Sequence, residues 1–190
     1  GDTLNKAVEA GKKQFVGFEL PGKTLGVIGL GAIGVEVANT ALSLGMQVMG
    51  FDPAITVKNA WQLSSGVQQA ESLDQLFQHS DFITLHIPLV DATRNIVNDS
   101  SFKIMKQGAV LLNLARGEIV DNKAALAALD NGRLHSFVTD FPTPELIKHP
   151  KVVALPHLGA STGEAEDNCS IMVAENLKDG DFVIYESTVF

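Results

Sequence analysis

The sequence predicts an α/β fold: a doubly wound, mostly parallel sheet of about seven strands with helices on both faces. Three observations predict it. Short apolar runs alternate with stretches of helical periodicity along most of the chain. The run 109–114 is nearly continuous in apolar character, as strands buried on both faces are. An early strand, 24–29, passes through a glycine-rich turn directly into a helix.

The elements follow in order. Leu4, Val8, Lys12 and Phe15 suit a short amphipathic helix over 4–15, broken by Pro21-Gly22. After the strand 24–29, Ile33, Val37, Ala41 and Leu44 recur at helical spacing over 32–44, and Gly45 closes that helix. Residues 47–51 form a second strand, ended by Asp52-Pro53, and 54–71 are less regular. Ser72 caps a helix running to His79, with Leu73, Leu76 and Phe77 inward. A strand at 82–86 ends before Pro88, a helical turn covers 100–106, and the strand 109–114 follows. Asp121 caps a helix to Asn131, stopped by Gly132. Strands at 137–139 and 152–155 are each followed by proline, and Thr162, Ala165 and Glu166 open a helix to about Leu177. The tail 180–190, apolar with Thr, Ser and Tyr, reads as an extra strand.

Composition narrows the functional classes. Of 190 residues, 45% are hydrophobic and 19% charged, which suits a packed globular chain. With 14 Lys+Arg against 22 Asp+Glu, the net charge of −8 disfavours general nucleic-acid binding. No apolar run is long enough to span a membrane as a helix. The single cysteine, Cys169, excludes an intrachain disulfide and agrees with a cytoplasmic home; inside the last helix it reads as a small core residue. No metal-ligand motif stands out.

Gly29-Leu30-Gly31-Ala32-Ile33-Gly34 matches G-x-G-x-x-G in the context that motif requires, after a strand and at the start of a helix. Gly29 permits the tight turn, Gly31 lets backbone approach a pyrophosphate, and Gly34 lets helix and sheet pack closely. The helix N-terminus, at Ala32 and Ile33, then offers N–H groups to phosphates. Asp52, closing the second strand, suits a ribose with free hydroxyls and repels a 2′-phosphate, so NAD is favoured over NADP. The expected architecture is thus a Rossmann fold. Three polar groups stand just beyond later strands, where open α/β sheets place ligands: Arg116, the Thr139-Asp140 pair with Glu145, and His157.

GVIGLGAIG, FDP, LHIPL, NLARGEIVD, VTDF and PHLGAST, in that order, resemble the D-isomer-specific 2-hydroxyacid dehydrogenase family over roughly residues 10–178. The resemblance implies hydride transfer between NAD and a small 2-hydroxy or 2-oxo acid. It implies that Arg116 holds the substrate's carboxylate and carbonyl, that His157 is the general acid/base, and that Glu145 pairs with that histidine. It further implies a cofactor cleft lined by His86, Pro88, Thr93, Leu114, Ala115, Asp140 and Gly159. The alternatives are a solvated loop cation for Arg116, a structural histidine for His157 and a surface carboxylate for Glu145, which stands in P-T-P-E-L where relatives often show E-P-E-P. His79, His135 and His149 match no family motif. Ala32 replaces the basic or polar side chain of many relatives, which predicts weaker cofactor binding.

The resemblance also implies a homodimer and a second, substrate-binding lobe whose residues are not found before the glycine motif. The expectation is therefore an excised cofactor domain with impaired turnover, divided as a lead-in arm (1–20), a dinucleotide-binding domain (21–161) and a return helix with an atypical tail (162–190). The missing initial methionine leans the same way. The tail faintly resembles a strand of nucleotide-sugar dehydrogenases, which leaves open a joined terminus without natural activity. An NAD-sensing, corepressor-like binding module is the other function class.

Overall fold

The computed structural model describes residues 2–12, 17–159 and 161–178. The chain divides after Leu155 into two compact units. The first opens with α1 (Asp2–Lys12), on which Leu4 and Val8 stand exposed. It then alternates β1 (Thr24–Ile28), α2 (Ala32–Ser43), β2 (Gln47–Phe51), α3 (Val57–Gln62), β3 (Gln68–Gln69), α4 (Leu73–His79) and β4 (Phe82–Leu85). It continues with α5 (Asp99–Ile104), β5 (Ala109–Asn113), a 3-10 turn (Gly117–Ile119), α6 (Asn122–Asp130), β6 (Leu134–Thr139), α7 (Pro144–Ile147) and β7 (Val152–Ala154). The second unit carries α8 (Gly163–Lys178).

The seven strands form one sheet in the order β3-β2-β1-β4-β5-β6-β7. Every pairing in it is parallel. The chain moves outward from β1 to β2 and β3, then returns to β4 on the other side of β1. The order reverses between β1 and β4, and it is at the carboxyl ends of strands at such a reversal that open α/β sheets place ligands.

Alternation along β1 divides the core. Leu25 and Val27 pack with Val35, Ala38 and Ala41 of α2. Ile28 joins the larger cluster containing Leu76 and Phe77 of α4, Phe102 of α5 and Leu129 of α6. The sheet is thus covered by helices on both faces, as the apolar run of β5 requires.

Some expectations are corrected. The segment 54–71 is not irregular: Thr56 Oγ1 accepts from the Asn59 N–H to cap α3, and β3 pairs with β2. The strand expected at 137–139 begins at Leu134. Pro144 does not merely follow β6; it opens α7, with Thr143 as cap. Cys169 is exposed rather than in a core. Ile171 and Met172 of the same helix are exposed as well, at 55% and 54%. The first helix is described over Asp2–Lys12; the remainder of the expected 4–15, Phe15 included, and the tail 180–190 lie outside the described residues.

Candidate dinucleotide-binding site

The β1–α2 connection is built from its glycines. Gly29 has φ +92°, a left-handed conformation, and a Cβ there would collide with the His86 carbonyl. A Cβ on Gly34 would overlap the Gly29 carbonyl, so the first turn of α2 lies directly against the loop. At Gly31 a Cβ would meet nothing within 4 Å, so the loop is open on that side. Gly31 is the N-cap of α2 and brings no side chain to the helix end. Ala32 and Ile33, exposed at the start of the helix, bring no charge either. This is a helix N-terminus uncovered by side chains, behind a tight loop that is open at Gly31, and it fits a dinucleotide's phosphates.

Asp52 closes β2 beside this loop. Its Oδ2 accepts from the Leu30 N–H at 2.8 Å and its Oδ1 from the Ala54 N–H at 2.8 Å. Each oxygen keeps a further acceptor position, as a ribose diol requires. The other flank of the loop is His86, just past β4. Its N–H donates to the Ile28 carbonyl at 2.7 Å, and its ring Nε2 lies 3.0 Å from Thr84 Oγ1. Burial pushes the His86 imidazole below its ordinary value of 6.5. Pro88 is exposed; its carbonyl and that of Val90 lie within reach of the Thr93 hydroxyl, at 2.6 and 3.1 Å, which ties this loop together.

The β5 loop carries Leu114, Ala115 and Arg116. Leu114 is 42% exposed, and Arg116 Nη1 donates to the Ala115 carbonyl at 2.7 Å. Beneath them sits Asn113, fully buried. Its Nδ2 donates to the Arg116 carbonyl at 2.9 Å and its Oδ1 accepts from the Ala115 N–H at 3.2 Å. Asn113 was missing from the expected site. The signal was a lone amide in an otherwise apolar strand, which must satisfy both its ends locally.

Asp140 follows β6 and is half-buried. Glu145 lies on the first turn of α7, fully exposed; its backbone N–H, and then the Thr143 hydroxyl, hold its carboxyl below the usual 4.5. His157, half-buried, and Gly159, exposed, belong to the second unit. The first unit thus brings Gly29, Gly31, Ala32, Ile33, Gly34, Asp52 and His86 together around one loop. The remaining histidines have structural partners: His79 with the Gln75 carbonyl, His135 edge-on to Phe18, and His149 with Asp130. Among the described residues no cluster of His, Cys, Asp or Glu could hold a metal, and no helix is long and apolar enough to cross a membrane.

Comparison with known proteins agrees with this geometry. Residues 2–159 match the profile of the D-isomer specific 2-hydroxyacid dehydrogenase, NAD binding domain. D-3-phosphoglycerate dehydrogenase of Sus scrofa is 44% identical over 169 residues, covering 86% of this chain and 31% of the relative. That of Methanocaldococcus jannaschii is 40% identical over 179 residues, covering 91% and 34%. The chain therefore spans about a third of the length of these curated relatives. Among solved structures, a glyoxylate reductase from Paecilomyes thermophila matches with TM-score 0.80 and 32% identity over 94% of this chain and 57% of its own. D-lactate dehydrogenase with NAD+ from Lactobacillus jensenii matches with TM-score 0.76 and 26% identity, over 90% of this chain and 57% of its own. The chain belongs to the D-isomer specific 2-hydroxyacid dehydrogenases, within their NAD binding domain.

Proposed function

We propose that this chain is the NAD-binding part of a D-3-phosphoglycerate dehydrogenase, a cytoplasmic enzyme that oxidises 3-phospho-D-glycerate to 3-phosphohydroxypyruvate at the entry to serine synthesis. The observation that carries the reading is the glycine loop, held between Asp52 and His86 over the uncovered start of α2. The identity to phosphoglycerate dehydrogenases supports the choice of family member.

NAD, when bound, supplies the hydride acceptor. Arg116 binds the substrate's carboxylate and carbonyl oxygens, for which a forked cation is suited. His157 takes the hydroxyl proton as the C–H bond gives up its hydride and the carbonyl forms. Glu145 orients that histidine and favours its protonated form. Pro88, Thr93, Leu114, Ala115, Asp140 and Gly159 line the cofactor cleft. The protein acts as a homodimer, and residues outside this chain complete the substrate cleft.

Titration of the chain with NADH, followed by a phosphoglycerate oxidation assay and light scattering of the same sample, tests this. The expected result is saturable NADH binding by a dimer, with turnover far below that of a full-length phosphoglycerate dehydrogenase. Absence of NADH binding refutes the cofactor reading. Near-normal turnover refutes the incomplete cleft, and a monomer refutes the assembly.

A further inference from the structure

The phosphate-binding loop is fastened to β2 at three points. The Gly29 N–H donates to the Phe51 carbonyl at 2.9 Å. The Leu30 N–H donates to Asp52 Oδ2 at 2.8 Å. The Leu30 side chain, 6% exposed, rests where a Cβ on Gly50 would lie 3.0 Å from its Cδ1. Two of these contacts are fixed by the backbone and by packing. The third depends on one carboxylate, itself aimed by the Ala54 N–H on Oδ1.

The division of N–H groups matters. Those of Gly29 and Leu30 are spent on Phe51 and Asp52, so an incoming pyrophosphate takes N–H groups from Gly31 onward into the first turn of α2. These point correctly only while the loop before them is held.

We propose that Asp52 is a positioning residue for pyrophosphate as well as the acceptor for the ribose: its bond to the Leu30 N–H sets the loop whose continuation binds the phosphates. This rests on the dinucleotide reading above. Replacing Asp52 to admit NADP then loosens the phosphate site at the same time, so coenzyme preference and phosphate affinity are coupled through one side chain.

A ligand without ribose hydroxyls separates the two roles. ADP and 2′,3′-dideoxy-ADP are titrated calorimetrically into the wild-type chain, D52A and D52N. If Asp52 served the ribose alone, its loss would leave dideoxy-ADP binding unchanged. The expected result is that D52A weakens dideoxy-ADP about fivefold or more, the effect of losing one charge-assisted bond that organises the loop. D52N, whose single amide oxygen can accept from Leu30 only by turning its NH2 toward the Ala54 N–H, falls between wild type and D52A. Unchanged dideoxy-ADP binding in D52A overturns the proposal.

A second measurement serves where D52A fails to fold. The Leu30 amide resonance is followed by nuclear magnetic resonance through acid titration of wild type and D52N. A carboxylate-dependent shift in wild type that D52N abolishes supports the clasp, and its absence overturns it. If wild type takes up no ADP, the dinucleotide reading fails, and the Leu30 resonance still decides whether Asp52 holds the loop.

Discussion

Asn113 shows how a single buried side chain fixes the shape of a loop. Its amide closes on the Ala115 N–H and the Arg116 carbonyl, so the backbone on either side of the Arg116 Cα is held from below. Asn113→Leu keeps similar bulk and leaves both groups unpaired. About 2 kcal/mol of stability should be lost, readable as a lowered midpoint in urea. An unchanged midpoint would mean that water replaces the amide. Asp81 makes a comparable join at the amino ends of the interior strands β1 and β4, accepting from the Thr24 N–H and from Lys106 Nζ, both at 2.8 Å. Burial pushes its carboxyl up, but the Lys106 and Thr24 bonds outweigh this and hold it below its ordinary value of 3.8. A depressed folded value means stability that is present above the unfolded value and lost as pH falls through the folded one. Asp81→Asn should therefore cost about 1 kcal/mol at pH 7 and nearly nothing at about pH 2. Urea midpoints at the two pH values check this, and a gap that persists in acid would refute it. The glycines and Asp52 were legible from residue type because their backbone and charge requirements are stringent. Asn113 was not, because sequence alone does not print burial; the same gap led to the core assignment of Cys169.

At the scale of elements, legibility followed length and periodicity. The long helices and the apolar strands were readable because their patterns repeat several times. The strand β3 is two glutamines, carries no apolar alternation and exists through pairing with β2. Helices α3 and α7 are short, and their signals were caps: Thr56 accepting from the Asn59 N–H, Thr143 from the Leu146 N–H. Those cues are visible in sequence but weak without tertiary support. The start of α2 carries the most consequential departure. Exposed Ala32 brings no charge to the helix end, so a phosphate there meets only the backbone N–H groups and the helix dipole. Dissociation constants for NAD should accordingly be micromolar or weaker. Ala32→Arg should tighten NAD about threefold to tenfold, an advantage that shrinks in high salt. Calorimetric titration at low and high ionic strength reads both effects. A sub-micromolar constant in wild type, or no gain in the variant, would show that the backbone already saturates the phosphates.

Across the whole molecule, topology decides where binding energy enters the fold. The strand order reverses between β1 and β4, in the interior of the sheet, and the glycine loop grows directly out of the carboxyl end of β1. Leu30 of that loop belongs to the α2-side cluster, while Ile28, just before it, belongs to the cluster on the other face. A ligand seated on the loop is therefore bound to a segment rooted in both halves of the core and absent as a site from the unfolded chain. Binding that excludes the unfolded state stabilises by mass action, by about 2.7 kcal/mol at a hundredfold excess over the dissociation constant. For a chain of this size that is a rise in melting temperature of about 5–10 °C. NAD should produce it. NADP at the same concentration should produce little or none, because the Asp52 carboxylate would face the 2′-phosphate. Differential scanning calorimetry of the chain with each cofactor decides the point. Equal shifts for the two would remove Asp52 as the selector, and a shift confined to a minor, separate transition would show that the loop is not coupled to the core as its packing requires.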